Sequence, residues 1–88
     1  MKPDIRSVAA SLESRLGDNC SYCTFMYANR IGIEYRSISF DYFDTWKDTV
    51  ITEAEGLKIP FRVMGFSALE IDEFTQDFRI FLRFGDDL

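Results

Sequence analysis

Every second residue is large and apolar in the segment 77–84, close to the C-terminus. Because a β-strand points successive side chains to opposite faces, this period predicts a strand with one face in a hydrophobic core. A single helix over 68–84 would place several of these apolar residues on its polar side, which favours the strand. Phe81 is out of phase with the set and lies between Arg79 and Arg83 on the opposite face. The four residues predicted to face the core are Phe78, Ile80, Leu82 and Phe84.

A different apolar period, with spacings of three and four, covers residues 4–16. This period is typical of an amphipathic helix. Asp4 suits the positive N-terminal end of the helix dipole, and Gly17 suits the position just after the last turn. The predicted buried stripe consists of Ile5, Val8, Leu12 and Leu16.

The segment 42–55 supports two interpretations. Its apolar side chains form one continuous arc when they are plotted on a helix, and Asp41 is a suitable N-cap, so both features predict a helix. Four consecutive β-branched residues at 49–52 favour a strand that pairs with 58–65. We predict the helix, because a random sequence would not sort its apolar residues onto one side.

Two further strands are predicted in the first half of the chain. The segment 20–29 carries apolar residues on both faces, which indicates a central strand covered on two sides. The segment 33–40 also alternates, and residues 29–32 contain the Asn and Gly of a turn. The two strands are therefore predicted to form a hairpin.

A fourth strand is predicted over 58–65, with Pro60 near its start because proline cannot donate a ladder hydrogen bond. Ser67 and Glu70 have the spacing of a helix capping box. This spacing predicts a short helix over 68–75 that precedes the C-terminal strand.

Together these segments predict an α+β fold, formed by residues 1–88 as one small domain. We expect an antiparallel sheet of about four strands, with the N-terminal helix and one or two further helices packed on it. Residues 85–88 are expected to form a loose tail.

The chain has no histidine, whereas nine Phe, four Tyr and one Trp give it 14 aromatic residues. Histidine supplies most acid–base and metal chemistry near neutral pH, and aromatic side chains supply cores and interface anchors. No nucleophile motif and no glycine-rich phosphate loop occurs in the sequence. We therefore expect no enzyme activity, no catalytic residue and no cofactor.

The spacing of Cys20 and Cys23 is the one local motif with potential chemistry. A structural zinc site needs four ligands, and the chain has no second cysteine pair, so we expect no metal site. A zinc ion that bridges two chains is the alternative. Strand residues three apart point to opposite faces, so the thiols are expected to diverge and to act only as buried apolar groups.

The formal net charge is −5, which disfavours direct binding to nucleic acid. Five acidic residues in 41–55 oppose a single Lys47, so the negative charge is locally concentrated. We name the predicted partner-binding surface in this segment the acidic helix face. It consists of Asp41, Asp44, Asp48 and Glu55.

The leading function predicted from these features is a non-enzymatic protein-binding module. Its concrete form is a small acidic inhibitor, an anti-defence or immunity-type protein, that blocks a nucleic-acid-handling target with a basic surface. A secondary partner-binding surface is predicted on an edge strand at Arg79, Phe81 and Arg83, because aromatic and arginine residues are typical of interfaces. This surface would also permit a homodimer.

The first alternative is a structural or accessory subunit that forms homo-oligomers through an aromatic surface. A small redox or carboxylate-based enzyme is the third hypothesis. No apolar run is long enough for a bilayer, and the first residues lack the apolar segment of a secretory signal, so we expect a cytoplasmic protein with no membrane partner.

Overall fold

The computed structural model describes residues 4–85. It contains a four-stranded antiparallel sheet and two α-helices, which confirms the predicted α+β class. The helices are α1 (Ile5–Leu16) and α2 (Phe43–Gly56), and the strands are β1 (Tyr22–Met26), β2 (Arg30–Ser37), β3 (Phe61–Asp72) and β4 (Thr75–Phe84).

The strands lie in the order β1-β2-β4-β3, and all three neighbouring pairs are antiparallel. Alternate residues of β2 and β4 form one buried cluster with residues of both helices, so the helices cover one face of the sheet. Trp46 lies at the centre of this core, where its indole Nε1 donates a hydrogen bond of 2.7 Å to the carbonyl of Asn19. This bond satisfies the one polar group of a fully buried ring.

The first helix ends at Leu16 as predicted and begins at Ile5, one residue later than predicted. The Asp4 carboxylate caps α1 by accepting a hydrogen bond of 3.1 Å from the backbone N–H of Arg6. Gly17 follows the last turn with a φ of +56°, a conformation that glycine adopts without steric cost. The apolar stripe buries Val8, Leu12 and Leu16.

The contested segment 42–55 is helical, as predicted, although Asp41 is not its N-cap. A 3-10 turn (Phe40–Tyr42) precedes α2, and the Ser39 hydroxyl accepts a hydrogen bond from the backbone N–H of Asp41. The β-branched run is tolerated because Val50 is fully buried and the Thr49 hydroxyl bonds back to a carbonyl in the preceding turn.

The N-terminal hairpin differs from the prediction in its turn and in its position. β1 is an edge strand rather than a central one, and it ends at Met26 instead of residue 29. The turn lies at 27–29, where Ala28 and Asn29 adopt left-handed φ angles of 57° and 58°. Gly32 lies inside β2 instead of in the turn, because β4 presents a large aromatic ring opposite it.

The predicted helix over 68–75 is wrong. β3 continues through this segment to Asp72 and pairs with β4 along its whole length, apart from two bulges. The capping-box spacing of Ser67 and Glu70 is a local signal, whereas pairing with β4 satisfies the backbone groups on the inner side of the segment. The strand starts at Phe61, just after Pro60, instead of at residue 58 as predicted.

The C-terminal strand has the predicted faces. The four apolar residues are at most 1 % exposed, whereas Phe81 lies on the opposite face between Arg79 and Arg83. The edge position expected for it is wrong, because β4 lies between β2 and β3. Gly85, predicted to belong to the loose tail, is buried and donates a hydrogen bond of 2.9 Å to the carbonyl of Pro60. The rest of that tail, residues 86–88, lies outside the described residues.

No helix between residues 4 and 85 has the length and apolar character required to cross a membrane.

Candidate protein-binding surfaces

The sheet face opposite the helices, which we call the open face, is not covered by any described helix or strand. It carries the out-of-phase residues of all four strands. Antiparallel pairing sets these residues in cross-strand rows, so that residues distant in sequence become neighbours. The open face therefore brings together groups whose association depends on strand register.

Three arginines form one of these rows. Arg30 of β2 lies opposite Arg83 of β4, which in turn lies opposite Arg62 of β3. We call these three residues the arginine row. Among the described residues, none of the three forms an ion pair with a carboxylate. With Arg36 and Arg79, five of the chain's ten basic residues lie on the open face, which concentrates the positive charge there.

Next to the arginine row, the ring of Phe81 lies over Gly32. A Cβ atom added at Gly32 would come within 3.1 Å of this ring and 3.5 Å of the Met26 sulfur. Tyr22, which is 63 % exposed, and Met26 form the opposite wall of a groove of about 220 Å³. This volume is below that of typical small-molecule sites, about 300 Å³ or more, so the groove suits a side chain of a partner better than a ligand.

Glu34 lines the groove, and we call Glu34 and the buried Asp77 the carboxyl pair. Glu34 of β2 interacts with Asp77 of β4, which is 1 % exposed. Desolvation raises the pKa of Glu34, and the hydrogen bond and negative charge of Asp77 raise it further against the attraction of Arg79 and Arg36. Glu34 therefore keeps its proton to a higher pH than a glutamate in water does.

The carboxyl pair positions an arginine. The Nε of Arg79 is 2.9 Å from Asp77 Oδ2 and 3.6 Å from Glu34 Oε1, so both carboxyls restrain its guanidinium. The second oxygen of Asp77 has no hydrogen-bond partner among the described residues. Burial of Asp77 beneath its neighbours keeps it away from a bound molecule, so this group orients Arg79 instead of acting on a substrate.

The acidic helix face lies on the other side of the molecule. Asp44, Asp48 and Glu55 are exposed along one side of α2, and Asp41 is exposed in the preceding turn. Lys47, the only basic residue of this segment, lies 3.6 Å from Asp44 but has its Nζ 4.1 Å from the centre of the Phe66 ring. The structure therefore separates the two predicted surfaces by the thickness of the domain.

The two thiols do not diverge as predicted. Cys20 precedes β1, so the strand alternation does not apply to it, and its thiol shares a hydrogen bond with that of Cys23. This bond lowers the pKa of Cys20 and raises that of Cys23, which burial raises further. The Cys23 sulfur also lies 3.9 Å from the Ala9 carbonyl of α1. Both cysteines are free.

Sequence reasoning identified Arg79, Phe81 and Arg83 but missed most of the open face. The strict alternation of β4 was enough to place these three residues together. The other members come from β1, β2 and β3, and only the strand order and register bring them alongside β4. The residues missed are Tyr22, Met26, Arg30, Glu34, Arg36, Arg62 and Asp77.

No cluster of three or more metal-ligating side chains occurs within residues 4–85. No protein-family model, no curated protein and no solved structure matches this chain.

Proposed function

We propose that this protein is a non-enzymatic protein-binding module that contacts its partner through the open face. The observation that supports this proposal is the composition of that face. Tyr, Phe, Met and Arg are the residues enriched at the centres of protein interfaces, and here they surround one groove. An uncovered sheet face with exposed aromatic groups is costly to leave in water, and a partner would cover it.

The arginine row defines the chemistry of the partner. Guanidinium groups bind carboxylates in a bidentate geometry, so a protein with an acidic surface is the expected ligand. The negative charges of Glu34 and Asp77 offset part of the positive charge of the five arginines on the open face, and the net charge of the whole chain is −5. Both features weaken attraction for a polyanion, which favours a protein over a nucleic acid.

The test compares three immobilised proteins in pull-downs from the source cells, with partners quantified by mass spectrometry. Tyr22→Ala/Arg83→Glu removes one wall of the groove and reverses a charge of the arginine row. Lys58→Glu makes the same charge change away from the open face and is the matched control. We expect an acidic protein to be retained by the wild type and the control, and to be lost from the double variant.

A parallel titration with a fluorescent single-stranded oligonucleotide distinguishes the other class of partner. Tight binding that weakens steeply with salt and is lost in Tyr22→Ala/Arg83→Glu would contradict the protein-binding proposal. If the wild type, the control and the double variant all retained the same proteins equally, the open face would not be the surface that binds the partner.

The exposure of the acidic helix face favours a second candidate function. Here the protein acts as a small acidic inhibitor or immunity-type protein, and its α2 side blocks a basic, nucleic-acid-handling target. The cation–π contact that holds Lys47 over Phe66 turns its charge towards the sheet, whereas the carboxylates of Asp44, Asp48 and Glu55 remain exposed.

The triple variant Asp44→Lys/Asp48→Lys/Glu55→Lys tests this candidate. It should lose a basic partner that the wild type captures, and the remaining binding should depend less on salt. Its free energy of unfolding should change by only about 0.5 kcal/mol, because the three side chains are exposed. A basic target bound equally by the wild type and the triple variant would exclude the acidic helix face.

A further inference from the structure

The outer edge of β3 has features that most natural edge strands avoid. β3 has 12 residues and pairs with only one strand among those described, so one row of its backbone N–H and C=O groups is unpaired. Its central residues, 63–69, carry no charge. Large apolar side chains are exposed along it, including Phe66 at 53 %, Leu69 at 56 % and Ile71 at 52 %. A long apolar edge of this kind is a template for another strand.

The opposite edge of the same sheet is much shorter. β1 has only five residues, and α1 packs against its helix-facing side with the Arg6 guanidinium 5.6 Å from the centre of the Phe25 ring. The sheet therefore has one short edge and one long edge, which indicates that β3 is the better edge for pairing.

We propose that β3 is a homodimer interface. Two copies pair their β3 strands antiparallel around a two-fold axis at Ser67, and two four-stranded sheets become one continuous sheet. The backbone groups at the edge of one copy bond those of the other, and the exposed apolar side chains of the two strands cover each other. The groove and two members of the arginine row, Arg30 and Arg83, remain accessible in this dimer, whereas Arg62 pairs across the interface. The inference therefore does not depend on the proposed function.

The charges of β3 match this arrangement. The strand has Arg62 near its start, and Glu70 and Asp72 near its end, and antiparallel pairing brings opposite ends together. A two-fold axis at Ser67 sets Arg62 of one copy opposite Asp72 of the other. Both residues lie on the open face, because they pair with Arg83 and Thr75, which are odd-numbered residues of β4. The interface then contains two equivalent ion pairs at its ends.

Self-pairing accounts for this pattern better than a foreign strand does. The strand that pairs with β3 must carry its charges in the opposite order and must have a similar apolar composition. A second copy of β3, reversed by the two-fold axis, meets both requirements. The small side chain of Ser67 also suits the axis, where the same residue from both copies must fit on one face.

Charge reversal tests the pairing. Sedimentation velocity should show a dimer of the wild type at about 100 μM. Arg62→Glu and Asp72→Arg should each raise the dissociation constant about tenfold, because each creates like-charge contacts at both ends. The double variant Arg62→Glu/Asp72→Arg should restore the dimer. Arg36→Glu, a charge reversal on β2, is the matched control and should leave the dissociation constant unchanged.

Cross-linking tests the position of the axis. The variant Ser67→Cys is made in a Cys20→Ser/Cys23→Ser background, so that each copy has one thiol. At the two-fold axis the Cα atoms of the two residues 67 are about 4.5–5.5 Å apart, a distance that a disulfide can bridge. Oxidised glutathione takes up the two electrons and two protons and leaves as two molecules of glutathione. We expect a covalent dimer from this variant and none from Thr24→Cys on β1.

Three results would overturn the inference. A wild-type protein that stays monomeric at about 100 μM has no such interface. A dimer that Ser67→Cys does not cross-link uses another surface or another register. Failure of the double charge reversal to restore the dimer, with circular dichroism showing a folded protein, would exclude the Arg62–Asp72 pairs.

Discussion

The ring of Phe81 occupies the space above Gly32, where a Cβ atom would lie 3.1 Å from the ring carbon Cε1. The two residues are direct cross-strand partners, so the missing side chain on β2 accommodates the large one on β4. This pair sets the floor and one wall of the groove on the open face.

The effect of Gly32→Ala on stability should therefore depend on whether Phe81 is present. The added methyl must displace the ring by a few tenths of an ångström, so the substitution should be less favourable with Phe81 present than in a Phe81→Ala background. We expect a coupling free energy of about 0.5–1 kcal/mol from a double-mutant cycle of chemical denaturation. Additive effects of the two substitutions would mean that the ring moves aside without cost.

The two faces of β4 should differ in their contribution to stability. Phe78 is fully buried, with its ring centre 5.7 Å from that of Trp46, and Leu82 is fully buried on the same face. Phe78→Ala and Leu82→Ala should each lower the free energy of unfolding by roughly 2–5 kcal/mol. Phe81→Ala should cost about 1 kcal/mol, because its ring is only half-buried. Equal losses at all three positions, measured by urea denaturation, would contradict this difference.

The carboxyl pair should make stability depend on pH. The folded-state pKa of Glu34 lies above its ordinary value of 4.5, so its protonated form favours folding. The stabilisation is complete below pH 4.5 and is lost as the pH rises through the raised pKa. Glu34→Gln keeps a hydrogen-bond donor for Asp77 without the titration. Its stability relative to the wild type should therefore increase with pH in this window.

Urea denaturation of both proteins between about pH 4 and pH 8 measures this difference. Asp48→Asn, which changes an exposed carboxyl of α2, is the control and should give a nearly constant difference. The opposite result is that the stability of Glu34→Gln falls relative to the wild type as the pH rises. It would show that the attraction of Glu34 to Arg79 and Arg36 outweighs its repulsion by Asp77 and its desolvation.

The thiols of Cys20 and Cys23 should react with an alkylating reagent at different rates. The hydrogen bond from Cys23 lowers the pKa of Cys20, and the pKa of Cys23 is raised, so Cys20 holds more thiolate at a given pH. Iodoacetamide at about pH 7.5 should alkylate Cys20 several-fold faster than Cys23, as mapped by peptide mass spectrometry. Cys23→Ala should slow the reaction of Cys20. Faster alkylation at Cys23 would contradict the direction of this hydrogen bond.

Three elements could be predicted from the sequence because their apolar periodicity is strong and local. The stripe of residues 4–16, the arc of 42–55 and the alternation of 77–84 each require one type of structure to bury their apolar side chains, and all three were predicted correctly. The faces of β4 followed from the same argument, which placed Phe81 beside two arginines.

The strand order, the register and the structure of residues 68–72 depend on tertiary pairing and could not be predicted from local sequence signals. The segment after Ser67 is a strand despite its capping-box spacing, because β4 supplies partners for the backbone groups on the inner side of that segment. Strand order placed β1 and β3 at the edges and β4 inside. Register then set Arg30, Arg83 and Arg62 in one row. Residues 21 and 53 positions apart become neighbours only when the sheet assembles, because period-2 alternation fixes the face of a residue but not its partner.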